Sequence, residues 1–208
     1  MAEALMDSEA TVANMRVIGL LLFAIIVCEI GCQAINNEIF RRVQGKYFST
    51  NHSLSVETFR SQLQCVLLCQ RQKCCLSVLI RQETEGFSCR TLDSFIPIKA
   101  LVHDAMGSYV YKTDPSSAAD FTWRDPVNLK FILKFNIGIS TGVSDVNLCL
   151  KKCNANPYCM SIEFITYKSG RKECNLNGIS SKAAGSAYQK SVNTNIKFAK
   201  FQEKTCNV

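Results

Sequence analysis

The sequence is poor in the features that mark most enzymes and membrane-spanning proteins. It has only two histidines, His52 and His103, and neither lies in a nucleophile elbow, a zinc-protease box or another recognisable catalytic motif. The apolar run at residues 17–27 stops before Glu29 and is shorter than the stretch of about 20 residues that a transmembrane helix needs. We therefore expect no enzymatic activity, no cofactor and no stable membrane span after processing.

The apolar run is typical of a secretory signal peptide. Met15 and Arg16 give it a short basic start, so Met15 is an alternative start of translation, and small residues favour cleavage after Ala34. Residues 1–34 are thus predicted to be a signal peptide and the protein to be secreted and extracellular. The alternative is a signal anchor that holds the chain at a membrane.

Charge favours acidic partners. The formal net charge of +7 rises to +10 without residues 1–34, because those residues hold one basic and four acidic side chains. Outside a cell, this balance predicts binding to a sulfated glycan or an anionic protein face, and it makes nucleic acid an unexpected partner.

Cysteine is unusually abundant, with twelve residues, of which ten follow the predicted leader. Four of them recur about 84 residues later, which indicates an internal repeat. The matched residues are Cys65, Cys69, Cys75 and Cys89 in the first copy and Cys149, Cys153, Cys159 and Cys174 in the second. The flanking residues 75–80 and 159–164 also match, and Gly86 aligns with Gly170 in the turn before the fourth cysteine.

Each copy has the pattern of one short helix followed by a β-hairpin and a late strand. Helices are predicted over residues 61–69, with Ser55 as an earlier possible start, and after an N-cap at Ser144. Strands are predicted at residues 76–81 and 108–111 and at residues 160–167 and 195–201. The fold class is therefore α+β: two tandem small disulfide-stapled modules, each a short antiparallel sheet with one helix packed across it.

The predicted modules span residues 35–112 and 127–208, and residues 113–126 form a linker that contains two Asp-Pro pairs. In the second module a helical Cys-x3-Cys is followed by Asn-Pro-Tyr-Cys at 156–159 and by Glu-Cys-Asn-Leu at 173–176. These residues resemble the PAN/apple family. The first module resembles it mostly through its cysteines, so the second copy is the closer match.

The resemblance implies that the first cysteine of each copy pairs with the fourth and the second with the third. The implied bonds are Cys65–Cys89, Cys69–Cys75, Cys149–Cys174 and Cys153–Cys159. Binding of a tetrahedral zinc ion by the four thiolates is the competing interpretation, but the spacing differs from common zinc knuckles and secretion favours disulfides. We expect no metal.

Cys74 and Cys206 have no place in this four-cysteine scheme. Three alternatives stay open: a bond between the two modules, a bond to another chain that would give a disulfide-linked dimer, or free thiols. A covalent partner of some kind is favoured.

Basic residues accumulate in the second module. In a heparin-binding member of the family, basic residues lie on the strand before the helix and directly before the second helix cysteine, and here Lys130, Lys134 and Lys152 occupy those positions. The candidate ligand-binding residues are Lys130, Lys134, Lys151, Lys152, Lys168, Arg171 and Lys172. The first module has Leu68 where the second has Lys152, so a glycan site is expected mainly in the second.

Asn51, in Asn-His-Ser, is a candidate N-glycosylation site.

The resemblance and the charge together predict a secreted, non-enzymatic recognition or adhesion protein that binds an extracellular protein or a sulfated carbohydrate. The alternative is a disulfide-linked structural component of an extracellular matrix or secreted assembly, in which Cys74 and Cys206 join chains. A non-catalytic arm of a larger secreted complex is a third hypothesis.

Overall fold

A computed structural model describes residues 40–115, 121–132, 134–190 and 193–206. These residues belong to one compact unit. The predicted signal peptide, its anchor alternative and the cleavage site after Ala34 lie outside the described residues. Within the described ranges, no helix has the length and apolar character needed to cross a membrane.

The N-terminal half (residues 40–115) contains five strands and one α-helix, with a short 3-10 turn at Ile98–Ala100. The elements are β1 (Phe40–Tyr47), β2 (Ser55–Phe59), α1 (Gln62–Arg71), β3 (Ser77–Glu83), β4 (Gly86–Leu92) and β5 (Val102–Lys112).

The C-terminal half (residues 121–206) contains a longer series of elements and a 3-10 turn at Gly185–Ala187. They are β6 (Phe121–Trp123), β7 (Val127–Asn128), β8 (Lys130–Ile132), β9 (Asn136–Thr141), α2 (Val146–Asn154), β10 (Ser161–Tyr167), β11 (Lys172–Asn177), α3 (Ser181–Ala184), β12 (Tyr188–Lys190) and β13 (Ile196–Cys206).

The two halves have the same strand order. The N-terminal sheet runs β1-β5-β3-β4-β2, and the C-terminal sheet runs β6-β13-β10-β11-β9, with β7 also pairing with β13. Every pairing is antiparallel. Strands β8 and β12 form a separate two-stranded ribbon. The fold is therefore α+β, with disulfide-stapled antiparallel sheets, as the sequence predicts.

Local capping explains where the two helices begin. The Ser61 hydroxyl accepts from the Gln64 N–H and the Gln64 side chain accepts from the Ser61 N–H, which forms a capping box. The proposed earlier start of this helix is wrong, because residues 55–59 form strand β2 against β4. In α2 the N-cap is Asp145 rather than Ser144; the Asp145 carboxylate accepts from the Leu148 N–H at 3.0 Å, and the Ser144 hydroxyl donates to Asp145.

The turn of the first hairpin requires glycine. Gly86 has φ 148°, and a Cβ there would collide with the Phe59 carbonyl oxygen of the neighbouring strand. Gly170, which the repeat aligns with it, also has positive φ, at 85°. Both hairpins therefore have a glycine with positive φ in the turn.

Each helix packs on one face of its sheet through its cysteines. Cys65 and Cys69 lie four residues apart and point to the same side of α1, where Val78 and Ile80 of β3 meet them. The bonds Cys65–Cys89 and Cys69–Cys75 fix this contact. The equivalent bonds in the other half are Cys149–Cys174 and Cys153–Cys159. All four are the pairs that the family resemblance implies.

The opposite face of the N-terminal sheet packs against the C-terminal half. Leu79 and Tyr109 are fully buried in one cluster with Ile132, Ile179 and Phe201. Burial raises the pKa of the Tyr109 phenol far above its ordinary value. The large buried side chains of this cluster make the halves one hydrophobic core.

Polar contacts continue across the same interface. The Tyr158 hydroxyl donates to the Lys112 and Thr113 carbonyl oxygens at 3.0 and 2.8 Å, and the Tyr158 ring lies 4.5 Å from that of Phe95. The Phe95 N–H donates to the Gly178 carbonyl at 2.6 Å. Backbone and aromatic contacts therefore hold the halves in one arrangement.

Cys74, in the loop after α1, is bonded to Cys206 at the end of β13. Of the three alternatives for these cysteines, the structure contains the bond between modules. In this structure both sulfurs are used within the chain, so the alternative of a dimer linked through these two cysteines does not apply to it. The ten cysteines in the described ranges are all in disulfides, which leaves no thiolate set there for the zinc alternative.

Replacing both Cys74 and Cys206 by alanine should lower the free energy of unfolding by about 5 kcal/mol, because the bond closes a loop of more than 100 residues. Urea denaturation followed by circular dichroism measures the change. We expect a single transition in the variant, since the shared core still couples the two halves. A loss below about 1 kcal/mol would contradict the proposed stabilisation.

Candidate ligand-binding site

Alternation along two strands places a polar group on the face of the C-terminal sheet that α2 leaves uncovered. Ile162 and Phe164 of β10 join the cluster around the α2 cysteines, as do Cys174 and Leu176 of β11. Their sequence neighbours point the other way, because side chains of a strand alternate between its faces. The residues of the uncovered face are Glu163, Ile165, Tyr167, Glu173, Asn175 and Asn177.

A cavity of about 430 Å³ lies over this face. The β8–β12 ribbon supplies its second wall, through Ile132, Gln189 and Lys190. Lys134, two residues beyond the end of β8, also lines the cavity. The floor includes Ile165. Most of the lining residues are polar or charged, and the apolar ones lie beside them, so the cavity is more polar than a typical small-molecule site.

Glu163 is the buried carboxylate of the cavity, with only 3% of its surface exposed. Its Oε1 accepts from the Ile132 N–H at 2.5 Å and from Asn177 Nδ2 at 3.1 Å, and its Oε2 accepts from Asn175 Nδ2 at 3.1 Å. Burial raises the pKa of Glu163 from 4.5 to about 6, and these N–H donors oppose the rise.

The two asparagines that hold Glu163 each keep one unused acceptor. Asn175 Oδ1 and Asn177 Oδ1 are buried and have no hydrogen-bond partner in the described part of the chain. Their orientation is fixed, because turning either amide would set its oxygen against the carboxylate. Only Asn175 of the pair lines the cavity.

A second pocket, the hairpin pocket, adjoins the cavity at the tip of the β10–β11 hairpin. Lys168 and Arg171 line it, and it shares Tyr167 with the cavity. The Arg171 guanidinium lies 4.2 Å from the centre of the Tyr167 ring and 3.4 Å from the Glu173 carboxylate. These contacts hold a half-exposed arginine against the sheet face.

The structure divides the seven predicted basic residues between two faces. Lys168 and Arg171 lie together at the hairpin tip, and Lys134 lines the neighbouring cavity. Lys151 and Lys152 are exposed in the last turn of α2, on the other side of the sheet. The remaining two have local partners: Lys130 lies 5.1 Å from the Tyr188 ring, and Lys172 donates to the Ser144 carbonyl.

Several residues of the cavity were missed by the sequence analysis. Glu163 and Asn175 alternate with residues that pack against α2, so the sequence alone does not show that they border a cavity, and Lys190 comes from a ribbon that the repeat does not contain. The one available signal was the alignment of Glu163 on Leu79, which places an acid where the first copy has a core residue.

Asn51, the predicted glycosylation site, is exposed between β1 and β2. Among the residues that the structure describes, no group of three or more histidine, cysteine, aspartate or glutamate side chains could hold a metal ion.

Comparison with known proteins gives one family match. Residues 128–206 match the model of the PAN domain. The matched PAN segment contains the cavity, the hairpin pocket, α2 and both C-terminal-half disulfides of the repeat. No curated protein matches the chain.

Among solved structures, the chain is similar to the two N-terminal apple domains of Toxoplasma gondii microneme protein 4. The identity is 13%, the match covers 82% of this chain and 89% of that chain, and the TM-score is 0.27.

The raised pKa of Glu163 predicts a pH-dependent stability. Because the folded state holds the Glu163 proton more tightly than the unfolded state, this carboxyl stabilises the fold below about pH 4.5, and that contribution is lost as the pH rises through about 6. Glu163→Gln has no such proton to lose. Relative to the wild type, the variant should therefore gain about 2 kcal/mol in unfolding free energy between pH 4.5 and pH 7.

Urea denaturation of both proteins across this pH range measures the difference. Glu57→Gln, at an exposed position of β2, controls for the loss of one carboxylate. Parallel pH profiles for the wild type and Glu163→Gln would contradict the prediction.

Proposed function

We propose that the chain is a secreted, non-enzymatic recognition protein whose PAN segment binds an extracellular ligand on the sheet face away from α2. The observation that carries this proposal is the pair of adjoining pockets on that face, one lined by Lys168 and Arg171 and one of mixed charge and polarity. PAN domains are generally protein- or carbohydrate-binding modules, and the match at residues 128–206 supports this role.

Secretion is part of the proposal. Five disulfides in a chain of this size favour an oxidising compartment, because thiols stay reduced in the cytosol. Asn51 is exposed, so a glycosyltransferase of the secretory pathway could reach it.

We also propose that the N-terminal half is a second copy of the same domain, with modules at 35–112 and 127–208 and a connecting segment at 113–126. Part of that segment, strand β6, pairs with β13 at the edge of the C-terminal sheet and so belongs to the second module. The support for a second copy is the shared strand order together with one repeated side-chain bond. The Ser77 hydroxyl donates to the Ser94 carbonyl at 2.6 Å, and the Ser161 hydroxyl donates to the Ile179 carbonyl at 2.8 Å. These serines occupy the same position of the repeat.

The hairpin pocket suits a sulfated carbohydrate or an acidic protein segment. Arg171 offers a planar, permanently charged donor group, and Lys168 adds a second cation at the same hairpin tip. A sulfate group would meet both without having to enter the cavity. The high positive charge of the mature chain would assist the approach of such a ligand.

Catalysis is not part of the proposal. The only strongly buried carboxylate of the cavity, Glu163, already accepts three hydrogen bonds from N–H groups of the protein. This arrangement fixes the carboxylate in place and offers no second group positioned as a nucleophile.

Changing Lys168 and Arg171 together to glutamine should weaken retention on a heparin column. Two charge-assisted hydrogen bonds of about 1 kcal/mol each would be lost at this exposed site, so the affinity should fall about tenfold or more. The salt concentration at elution measures the effect.

The matched control is Lys151→Gln with Lys152→Gln, which removes the same charge from the same half but from the helix side. Its elution should lie close to that of the wild type. Equal shifts for the two double variants would reject the hairpin pocket and leave only a general effect of net charge.

The alternative role as a disulfide-linked structural component requires cysteines that can form bonds to other chains. Cys74 and Cys206, the residues considered for this, are bonded to each other within the chain. The secreted protein should therefore migrate as a monomer in non-reducing electrophoresis, with a change in mobility but not in subunit number on reduction. A ladder of disulfide-linked oligomers would favour the structural role instead.

A further inference from the structure

The two copies of the repeat contact each other twice through the same pair of positions. The repeat aligns Cys74 with Tyr158, because each directly precedes the third cysteine of its copy. The last strands also align, because Lys112 of β5 and Lys204 of β13 each donate a backbone N–H to the carbonyl oxygen of the residue after that cysteine. The first position lies in the loop after the helix, and the second lies at the end of the last strand.

Only one of these two contacts is covalent. The Tyr158 hydroxyl donates to the carbonyl oxygens of Lys112 and Thr113 at 3.0 and 2.8 Å, whereas Cys74 is bonded to Cys206. Each loop therefore reaches the last strand of the other copy. Hydrogen bonds are sufficient for the contact that Tyr158 makes. The Cys74–Cys206 bond is thus an addition to the repeat, unlike the four bonds that attach the helices to the sheets.

Solvent access also separates this bond from the other four. The eight cysteines of the helix–sheet bonds are each 0% exposed. Cys74 is 3% exposed, and Cys206 is partly exposed at the end of β13. In thiol–disulfide exchange a thiolate must reach one of the two sulfur atoms, so access decides which bond reacts first. Among the described bonds, Cys74–Cys206 is therefore the most accessible to a thiol, from the side of Cys206.

The backbone of Cys74 favours opening of the bond. Its φ of 61° lies in the left-handed region, which residues other than glycine seldom adopt. Such a conformation persists only where the surrounding structure imposes it. Cys74 is held there between its own bond to Cys206 and the neighbouring Cys69–Cys75 bond. Cleavage of the Cys74–Cys206 bond removes one of these two constraints.

A pocket of about 160 Å³ between the halves has Cys206 in its lining, and we call it the interface pocket. It has room for a small thiol. Without counting His52, its ionisable side chains carry three positive charges and two negative charges. The positive residues are Arg124, Lys182 and Lys204, and the negative residues are Asp93 and Glu203.

Both carboxylates of the interface pocket already have partners in the protein. The Asp93 carboxylate lies 3.2 Å from His52 Nε2. The Glu203 carboxylate accepts from the Ser181 N–H and hydroxyl at 2.7 and 3.0 Å. Lys182, in contrast, is exposed. An anionic thiol that enters this pocket is therefore attracted by the excess positive charge, which also stabilises a thiolate.

We propose that Cys74–Cys206 is a redox modification site, at which a small anionic thiol opens the bond between the copies and leaves the four helix–sheet bonds intact. The thiolate sulfur attacks Cys206 Sγ and forms a mixed disulfide, while the electron pair of the broken bond leaves on Cys74 as a thiolate. A second thiolate attacks the sulfur of the bound reductant. This step releases Cys206 as a thiolate and forms the disulfide of the two reductant molecules.

The proposal goes beyond the recognition role and does not depend on it, because no residue of the interface pocket lines the cavity or the hairpin pocket. Retention on heparin should be the same before and after the bond is opened. Ligand binding and bond opening can therefore fail independently.

The test treats the secreted, oxidised protein with mercaptoacetate under native conditions. Samples are quenched with N-ethylmaleimide at intervals, and the labelled cysteines are mapped by mass spectrometry. We expect Cys74 and Cys206 to react at least about tenfold faster than the eight cysteines of the helix–sheet bonds, whose exposure requires local unfolding. Circular dichroism should stay native at that stage. Labelling of any helix–sheet bond at a comparable rate would overturn the proposal.

A second experiment tests the interface pocket. The rates of mercaptoacetate, neutral 2-mercaptoethanol and cationic cysteamine are each divided by the rate of the same thiol with 2-hydroxyethyl disulfide, because thiols differ in nucleophilicity. At low salt the relative rate should be highest for mercaptoacetate and lowest for cysteamine, with a difference of about threefold or more. About 0.5 M salt should reduce this difference.

Two single variants assign the preference to this pocket. Lys182→Gln should reduce the advantage of mercaptoacetate, because it removes an exposed cation from the lining. The matched control is Lys151→Gln, at an exposed position of α2, which should leave the relative rates unchanged. Equal relative rates for the three thiols, or equal effects of the two variants, would contradict the selection of an anionic thiol.

Discussion

The attachment of one helix to one sheet face by two disulfides is the constraint on which each half of this protein depends. Neither α1 nor α2 exceeds ten residues, and helices of this length are marginal in isolation. In the chain-entropy treatment, the short and long bridges of each half contribute about 2.4 and 3.5 kcal/mol. These contributions are comparable with the whole net stability of a small domain.

Because the cysteines hold the helix on one face, the other face of each sheet is available for a different purpose. In the N-terminal half that face is apolar, with Leu79 and Tyr109 buried against the C-terminal half. In the C-terminal half the same face carries Glu163 and Asn175 and lies under the β8–β12 ribbon. This face of the N-terminal sheet therefore contributes to the shared core, whereas that of the C-terminal sheet borders the cavity where we propose that a ligand binds.

The shared core also has a consequence for how a ligand is presented. Tyr158 and Phe95 meet across the interface, and Cys74–Cys206 closes it covalently. These contacts limit the movement of one half against the other. For the proposed ligand, a preorganised site would reduce the entropy that binding must overcome.

The sequence by itself determined the elements that depend on neighbours along the chain. Helical Cys-x3-Cys spacing and the hairpin glycines are local, so the predicted helices and first hairpin strands agree with the structure to within a few residues. The late strands β5 and β13 are longer than predicted, because their additional residues pair with strands distant in the sequence. The errors, an early start for α1 and an N-cap at Ser144, are also local and concern which of two adjacent polar residues or segments is used.

Only the tertiary structure decided which charged residues act together. Lys151 and Lys168 belong to one basic region of the sequence, yet the sheet separates them. Glu163 and Lys190 come from different strands and line the same cavity. The partner of Cys74 is 132 residues away and could not be chosen from spacing. Side-chain alternation fixes a residue's face relative to its strand, but whether that face is covered or open depends on how the two halves pack.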